Sequence, residues 1–168
     1  MSSFYCKPAP SKSLSVSISS ESISSETRAI IERETRLDCK NPEDLPFKLV
    51  LRYCKDLVDV SALGGVKWLN LTGCTGVVDV SALGGVEHLV LEGCTGVVDV
   101  SALGGVKWLD LTGCTGITDV SALGRVQELY LRYCTEVVDV STLGTVQHLD
   151  LRGCTGITDF SAVPRALR

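Results

Sequence analysis

From about Phe47 onward the chain repeats one arrangement of apolar and outward-facing positions every twenty residues. The clearest turn carries its recurring apolar positions at Val66, Leu69, Leu71, Cys74, Val77, Val80 and Leu83. Within it, Trp68-Leu69-Asn70-Leu71-Thr72 alternates leucine with other side chains, the period of a half-buried strand. Gly73-Cys74-Thr75-Gly76 breaks that strand and turns the chain. Val77, Val80 and Leu83 then recur at intervals of three, which predicts a tight 3₁₀-like coil rather than a second strand. Asp79 and Ser81 are residue types that bond nearby backbone amides and start such coils. Gly84-Gly85 returns the chain to the next strand. Each turn therefore makes one strand and one short outer coil, and turns stacked at about 4.8 Å make a parallel sheet. Stacking aligns Leu49, Leu69, Leu89, Leu109, Leu129 and Leu149 in one column and Leu51 to Leu151 in a second, with Leu63 to Leu143 in most of a third.

The copying is close. Val77–Gly96 and Val97–Gly116 differ only at Glu87/Lys107, His88/Trp108, Val90/Asp110 and Glu92/Thr112. A fixed period of this length marks a stacked, quasi-one-dimensional protein in which no turn buries its apolar side alone. The frame V-x-x-L-x-L-x-x-C-x-x-V-x-D-V-S-x-L-G-x resembles the leucine-rich repeat, over roughly residues 46–168 and about six registers. Its D-V-S-x-L-G half is similar to the short-repeat types, although the ninth position is always Cys and never Asn. The resemblance implies an α/β solenoid: a right-handed coil with a parallel sheet on the concave side and 3₁₀ or turn segments on the convex side. It also implies binding rather than catalysis. Two regions follow: residues 1–46 as tail and N-terminal cap, and residues 47–168 as the array.

Residues 11–25 are serine-rich, with Leu14, Val16 and Ile18 alternating against serines, which fits either an edge strand along the first turn or a disordered tail. Residues 25–38 read as a helix, with Ser25 before Glu26 as start signal and Ile30, Ile31, Glu34 and Leu37 at helical spacing. Laid over the first strand, that helix would cover its apolar edge. At the other end Phe160, Val163 and Pro164 replace the usual Val, Leu and Gly and are expected to form a minimal lid.

Composition adds little to this and charge somewhat more. No continuous apolar run has the form of a secretory leader or the length of a membrane span. Cys54, Cys74, Cys94, Cys114, Cys134 and Cys154 recur in register, which reads as a column of small inward hydrophobes donating weakly to the adjacent turn. A disulfide framework would show varied spacing. The expected compartment is reducing, hence cytoplasmic or nuclear, and a cell-surface adhesin of internalin type would need a leader. The net charge of −4 carries no single-sign basic stripe of the kind that binds nucleic acid.

Candidate chemistry gathers on the open face of the sheet. Its first column is Lys48, Trp68, His88, Trp108, Glu128 and His148, which holds both tryptophans and both histidines of the protein. The second is Val50, Asn70, Val90, Asp110, Tyr130 and Asp150, and the third Arg52, Thr72, Glu92, Thr112, Arg132 and Arg152. A copied scaffold with a varied face fits recognition of another protein or peptide, since Trp, Tyr and Arg commonly anchor interfaces. Lys48, Trp68, Asn70, His88, Glu92, Trp108, Asp110, Glu128, Tyr130, Arg132, His148, Asp150 and Arg152 are the candidate partner-binding residues. The competing account is drift, in which exposed positions vary after duplication and packed ones cannot; against it, Thr75, Gly76, Ala82, Gly84 and Gly85 stay constant between the quoted copies. The Asp column (Asp59, Asp79, Asp99, Asp119, Asp139, Asp159) could ladder calcium, but local amide bonding is the expected role, since G-G-x-G-x-D is missing. Catalysis finds no support: no nucleophile stands by His148 and Asp150, and no phosphate-loop or dinucleotide motif implies a cofactor. The expectation is a monomer, or one that self-associates weakly, binding a partner protein through the strand face. The alternatives are a self-assembling structural solenoid, or an adaptor subunit of a ubiquitin-ligase or phosphatase complex, the last two by fold analogy.

Overall fold

The computed structural model describes residues 25–35 and 47–164. Six three-residue strands run parallel in sequence order: β1 (Lys48–Val50), β2 (Trp68–Asn70), β3 (His88–Val90), β4 (Trp108–Asp110), β5 (Glu128–Tyr130) and β6 (His148–Asp150). Register advances by one full repeat per strand, Leu49 facing Leu69 and Leu89 facing Leu109. Backbone pairing outruns the strands: the Leu71 N–H donates to the Val90 carbonyl at 2.8 Å, and the Gly73 N–H to that of Glu92 at 2.7 Å. The chain then turns through Cys74–Val77 and enters the 3₁₀ turn Ser81–Gly85, with counterparts at Ser61–Gly65, Ser101–Gly105, Ser121–Arg125 and Ser141–Thr145. Strands stack on strands and 3₁₀ turns on 3₁₀ turns, so one repeat touches chiefly its neighbours.

Between the two layers lies the core. In the second turn Leu69, Leu71, Cys74, Val77, Val80, Leu83 and Val86 are all essentially inaccessible, and the same seven positions are buried in the turns that begin at Leu89, Leu109 and Leu129. The interval-of-three reading of Val77, Val80 and Leu83 is the geometry found: the Leu83 N–H closes on the Val80 carbonyl at 2.9 Å and the Val86 N–H on that of Leu83 at 3.0 Å.

The first turn is covered by α1 (Ser25–Thr35), and residues 36–38 of the expected helix lie outside the described residues. Its residues Thr27, Ile30 and Ile31 are buried, and the Thr27 hydroxyl donates to the Asp59 carbonyl at 2.7 Å, which ties the helix to the start of the array. Leu37 and the alternating serine tract of residues 11–24 lie outside the described residues. At the far end Val163 is buried and Phe160 half-buried against the core, whereas Pro164 is exposed. Leu149, Leu151, Cys154 and Ile157 beside them retain 6–7% exposure, where their interior counterparts have none.

The constant glycines of the outer coil have a steric cause. A Cβ on Gly104 would stand 2.5 Å from the Ala122 carbonyl oxygen of the next turn, and Gly64, Gly84, Gly124 and Gly144 meet the equivalent oxygen. Gly76 is confined in the same way by the carbonyls of Lys55 and Leu57. Constancy at these positions therefore reports backbone approach and is no argument against drift on the face. Gly105 differs: its Cβ would meet the Gly84 carbonyl at 3.1 Å, and later turns carry Arg125 and Thr145 at that place. Gly104→Ala is accordingly expected to lower stability by about 1–3 kcal/mol through overpacking. Gly105→Ala should cost far less, and urea midpoints of the two variants measure the contrast.

Candidate functional site

Alternation places columns one and two of the sheet on the face opposite the leucines, but their depths differ. Asn70, Val90 and Asp110, at the centre of the middle column, are 3%, 7% and 9% exposed, although among the described residues no other layer covers the sheet. The large side chains on either side bury them. Trp68 and Trp108 are half-buried, His88 and His148 exposed, and Glu128, Tyr130 and Asp150 intermediate. Lys48 sets its Nζ 3.9 Å from the centre of the Trp68 ring. Trp108 lies against Tyr130 at 5.2 Å between ring centres, tilted by 45°, and the Arg132 guanidinium stands 5.9 Å over the same tyrosine. The Tyr130 hydroxyl reaches Glu128 Oε2 at 3.5 Å.

Three members of the middle column also shape their own strand ends. Asn70 Oδ1 accepts the Thr72 N–H and Asp110 Oδ1 the Thr112 N–H, both at 2.9 Å, and Asp150 Oδ1 accepts the Arg152 N–H at 3.1 Å. These residues alternate turn by turn with Val50, Val90 and Tyr130, which cannot do this. Asp150 is further engaged by Arg152, whose Nη2 lies 2.6 Å from Oδ2, and by Arg132 Nε at 3.7 Å. The Arg152 contacts hold the Asp150 carboxyl below its ordinary range and raise the guanidinium in return. Lys67, Glu87 and Lys107 form a separate ladder at the strand entrances, with Glu87 bridged to Lys107 at 2.7 Å and to Lys67 at 3.6 Å.

Two features of the surface are not visible in the alternation. Tyr53 and Tyr133 occupy the left-handed region at φ 58° and 60°, where the other turns place Gly73, Gly93, Gly113 and Gly153. Both tyrosines are largely exposed, and each ring lies across the glycine of the following turn, Tyr133 approaching a would-be Cβ of Gly153 to 2.5 Å. A left-handed tyrosine is uncommon and strained. The signal was present as the only breaks in a glycine column. The second feature is a line of exposed Val58, Val78, Val98 and Val138 along the turns, interrupted by Thr118.

The aspartate and cysteine columns take local roles. Asp59, Asp79, Asp99, Asp119, Asp139 and Asp159 each accept the amide of the serine two residues on, at 2.8–2.9 Å. In Asp79, Asp99, Asp119 and Asp139 that amide, as the largest influence, holds the carboxyl below its ordinary value, and the neighbouring aspartates oppose it only weakly. A depressed folded-state pKa contributes stability above the unfolded value near 3.9 and loses it as pH falls through the folded one. Stability is therefore expected to decline below about pH 4. Asp99→Asn keeps the acceptor oxygen without the titration and should lose less between pH 5 and 2.5 in urea unfolding.

Each cysteine from Cys74 to Cys154 donates its thiol to a leucine carbonyl in the preceding turn, at 2.8–3.1 Å. The six column cysteines are buried and form no disulfide. Burial by itself protects them, so their number does not fix a redox compartment.

No protein-family model matches the sequence, and no curated protein is significantly similar to it. Among solved structures, an internalin (InlF) of Listeria monocytogenes superposes with a TM-score of 0.54 at 24% identity, over 78% of this chain and 39% of that one. The fold is that of a leucine-rich-repeat solenoid. Internalin C2 of the same organism matches at 21% identity and a TM-score of 0.37, over 62% of this chain and 61% of that one. A functional domain of the Listeria protein InlJ, which includes a cysteine ladder, matches at 16% and 0.32 over 62% and 34%. The solenoid thus spans well under half the length of the first of these.

Proposed function

We propose that the solenoid is a non-enzymatic interaction module that binds another protein through the open strand face. One observation carries this reading. The positions outside the leucine core and free of backbone approach are also the ones that hold both tryptophans, Tyr130, and a set of charges that changes from turn to turn. Aromatic side chains flanked by polar ones are the usual anchors of protein recognition.

The test is affinity capture from a lysate of the source cell with the wild-type chain beside a Trp68→Ala/Trp108→Ala variant. Both side chains lie outside the leucine core, so circular dichroism should show an unchanged fold. A protein retained by the wild type and lost from the variant is the expected result. Identical capture by both would make the aromatic column surface decoration and favour the self-assembling solenoid.

A further inference from the structure

We propose that a cleft outside the three columns of the strand face binds a phosphate monoester, with Arg125 as its principal contact. The cleft has a volume of about 480 Å³ and lies between the 3₁₀ turns Ser101–Gly105 and Ser121–Arg125, where the chain leads into β4 and β5. Small-molecule sites commonly occupy about 300–1,000 Å³. Gly104, Gly105, Lys107, Ala122, Arg125 and Gln127 line it.

A single departure from the repeat frame builds this recess. The last residue of the 3₁₀ turn is Gly65, Gly85 and Gly105 in successive turns, then Arg125 and Thr145. Arg125 is the one charged residue in the five 3₁₀ turns. A side chain at this place stands over the backbone of the preceding turn. Thr145 donates its hydroxyl to the Gly124 carbonyl at 2.6 Å, and a Cβ on Gly105 would meet the Gly84 carbonyl at 3.1 Å. By the same register Arg125 rises beside Gly104 and Gly105, which have no side chains to fill the space.

The charge of the lining is one-sided. Arg125 and Lys107 are cations, Gln127 carries an amide, and no acidic side chain lines the cleft, in a chain whose net charge is −4. Lys67 and Lys107 share Glu87, and Arg132 and Arg152 share Asp150, but among the described residues no ion pair engages Arg125. Glu87 already stands between two lysines and does not offset the guanidinium as well. A guanidinium presents a planar fork of donors suited to bidentate contact with an oxyanion. Gln127 adds an amide N–H, and the Lys107 ammonium keeps N–H groups beyond the one that Glu87 takes. Three donor groups around one recess match the three terminal oxygens of a phosphate monoester, whereas a carboxylate offers two. The bare backbone of Gly104 and Gly105 lets the group that carries the phosphate approach closely.

Isothermal titration calorimetry on the full chain tests the site with inorganic phosphate, glycerol phosphate and a short alanine peptide bearing a central phosphoserine. Saturable binding is expected, weakened about tenfold or more in Arg125→Gly, which restores the residue found at this place in Gly65, Gly85 and Gly105. Gln127→Glu should weaken it as much by setting a carboxylate in the lining, at the place that Glu87 holds in an earlier turn. Unchanged urea midpoints confirm both folds, and if one variant shifts its midpoint the other carries the test. Trp68→Ala/Trp108→Ala should leave the affinity unchanged, which separates this site from the strand face. Tighter binding of the phosphopeptide would assign the phosphate to a modified protein partner, and tighter binding of glycerol phosphate to a free small molecule; the site stands in either case. Equal affinity in the wild type and Arg125→Gly, or no heat from any probe at millimolar concentration, would overturn it and leave the interaction face untouched.

Discussion

Raising the pH from 8 to 11 is expected to unfold the solenoid, and the buried thiol column is the cause. Burial is the largest influence on every one of these groups: it pushes Cys94 up to about 11 and Cys74 and Cys134 up to about 12, and raises Cys114 and Cys154 as well. A thiolate there would lose hydration and could no longer donate to the leucine carbonyl of the preceding turn. The unfolded chain has no such constraint and ionises near pH 8.5. With folded values above the unfolded one, the contribution is fully present below about pH 8.5 and is lost as pH rises toward the folded values. Each such thiol removes about 1.4 kcal/mol per pH unit in that window. Five together approach 7 kcal/mol per unit, against a total domain stability of about 5–15 kcal/mol. Urea unfolding at pH 8, 9 and 10 should therefore show a stability that falls more steeply with each step. Cys94→Ser keeps a hydroxyl donor to the Leu71 carbonyl and removes one titrating group, so its pH slope should be shallower by one proton. Equal slopes in the two proteins would assign the alkaline loss to other groups. The same burial should keep the column thiols unreactive toward a disulfide reagent until denaturant is added.

The frame of this solenoid is legible in the sequence because its period is constant. When each residue stacks on the one a full repeat away, one turn read correctly predicts the rest, and Leu69, Cys74, Asp79 and Leu83 each stand for a column. The helix at Ile30 and Ile31 is legible for a different reason, from Ser25 before Glu26 as a start signal and from helical spacing after it. The face was legible only by side. Alternation shows that Asn70, Val90 and Asp110 point away from the leucines, but not that they sink below Trp68, Trp108 and Tyr130. Depth depends on the bulk of neighbours in other turns, which a period-two pattern does not contain. Nor does it reveal that Asn70 and Asp110 are half committed to capping Thr72 and Thr112. Tyr53 and Tyr133 illustrate the converse: their replacement of glycine is visible in the sequence, while the left-handed backbone and the ring laid across the next turn's glycine are not.

Position along the array should decide how much a core substitution costs, and the leucine column tests this with one chemistry. Leu109 is inaccessible and packed between Leu89 and Leu129, whereas Leu149 keeps 7% exposure and is paired with Leu129 alone. Truncating a fully buried leucine to alanine costs about 2–5 kcal/mol, the spread reflecting how far the surroundings can collapse. In a stack whose stability is a sum of turns and nearest-neighbour interfaces, Leu109→Ala weakens two interfaces and Leu149→Ala one. The central variant should therefore lie at the upper end of that range and unfold the array in one transition. The terminal variant should cost about half as much. Its loss should be local: amide exchange should quicken from residue 141 to 160 while β2 and β3 stay protected. Equal costs, or exchange that quickens along the whole array in both variants, would mean that the six turns behave as a single cooperative block and that the end is as tightly held as the middle.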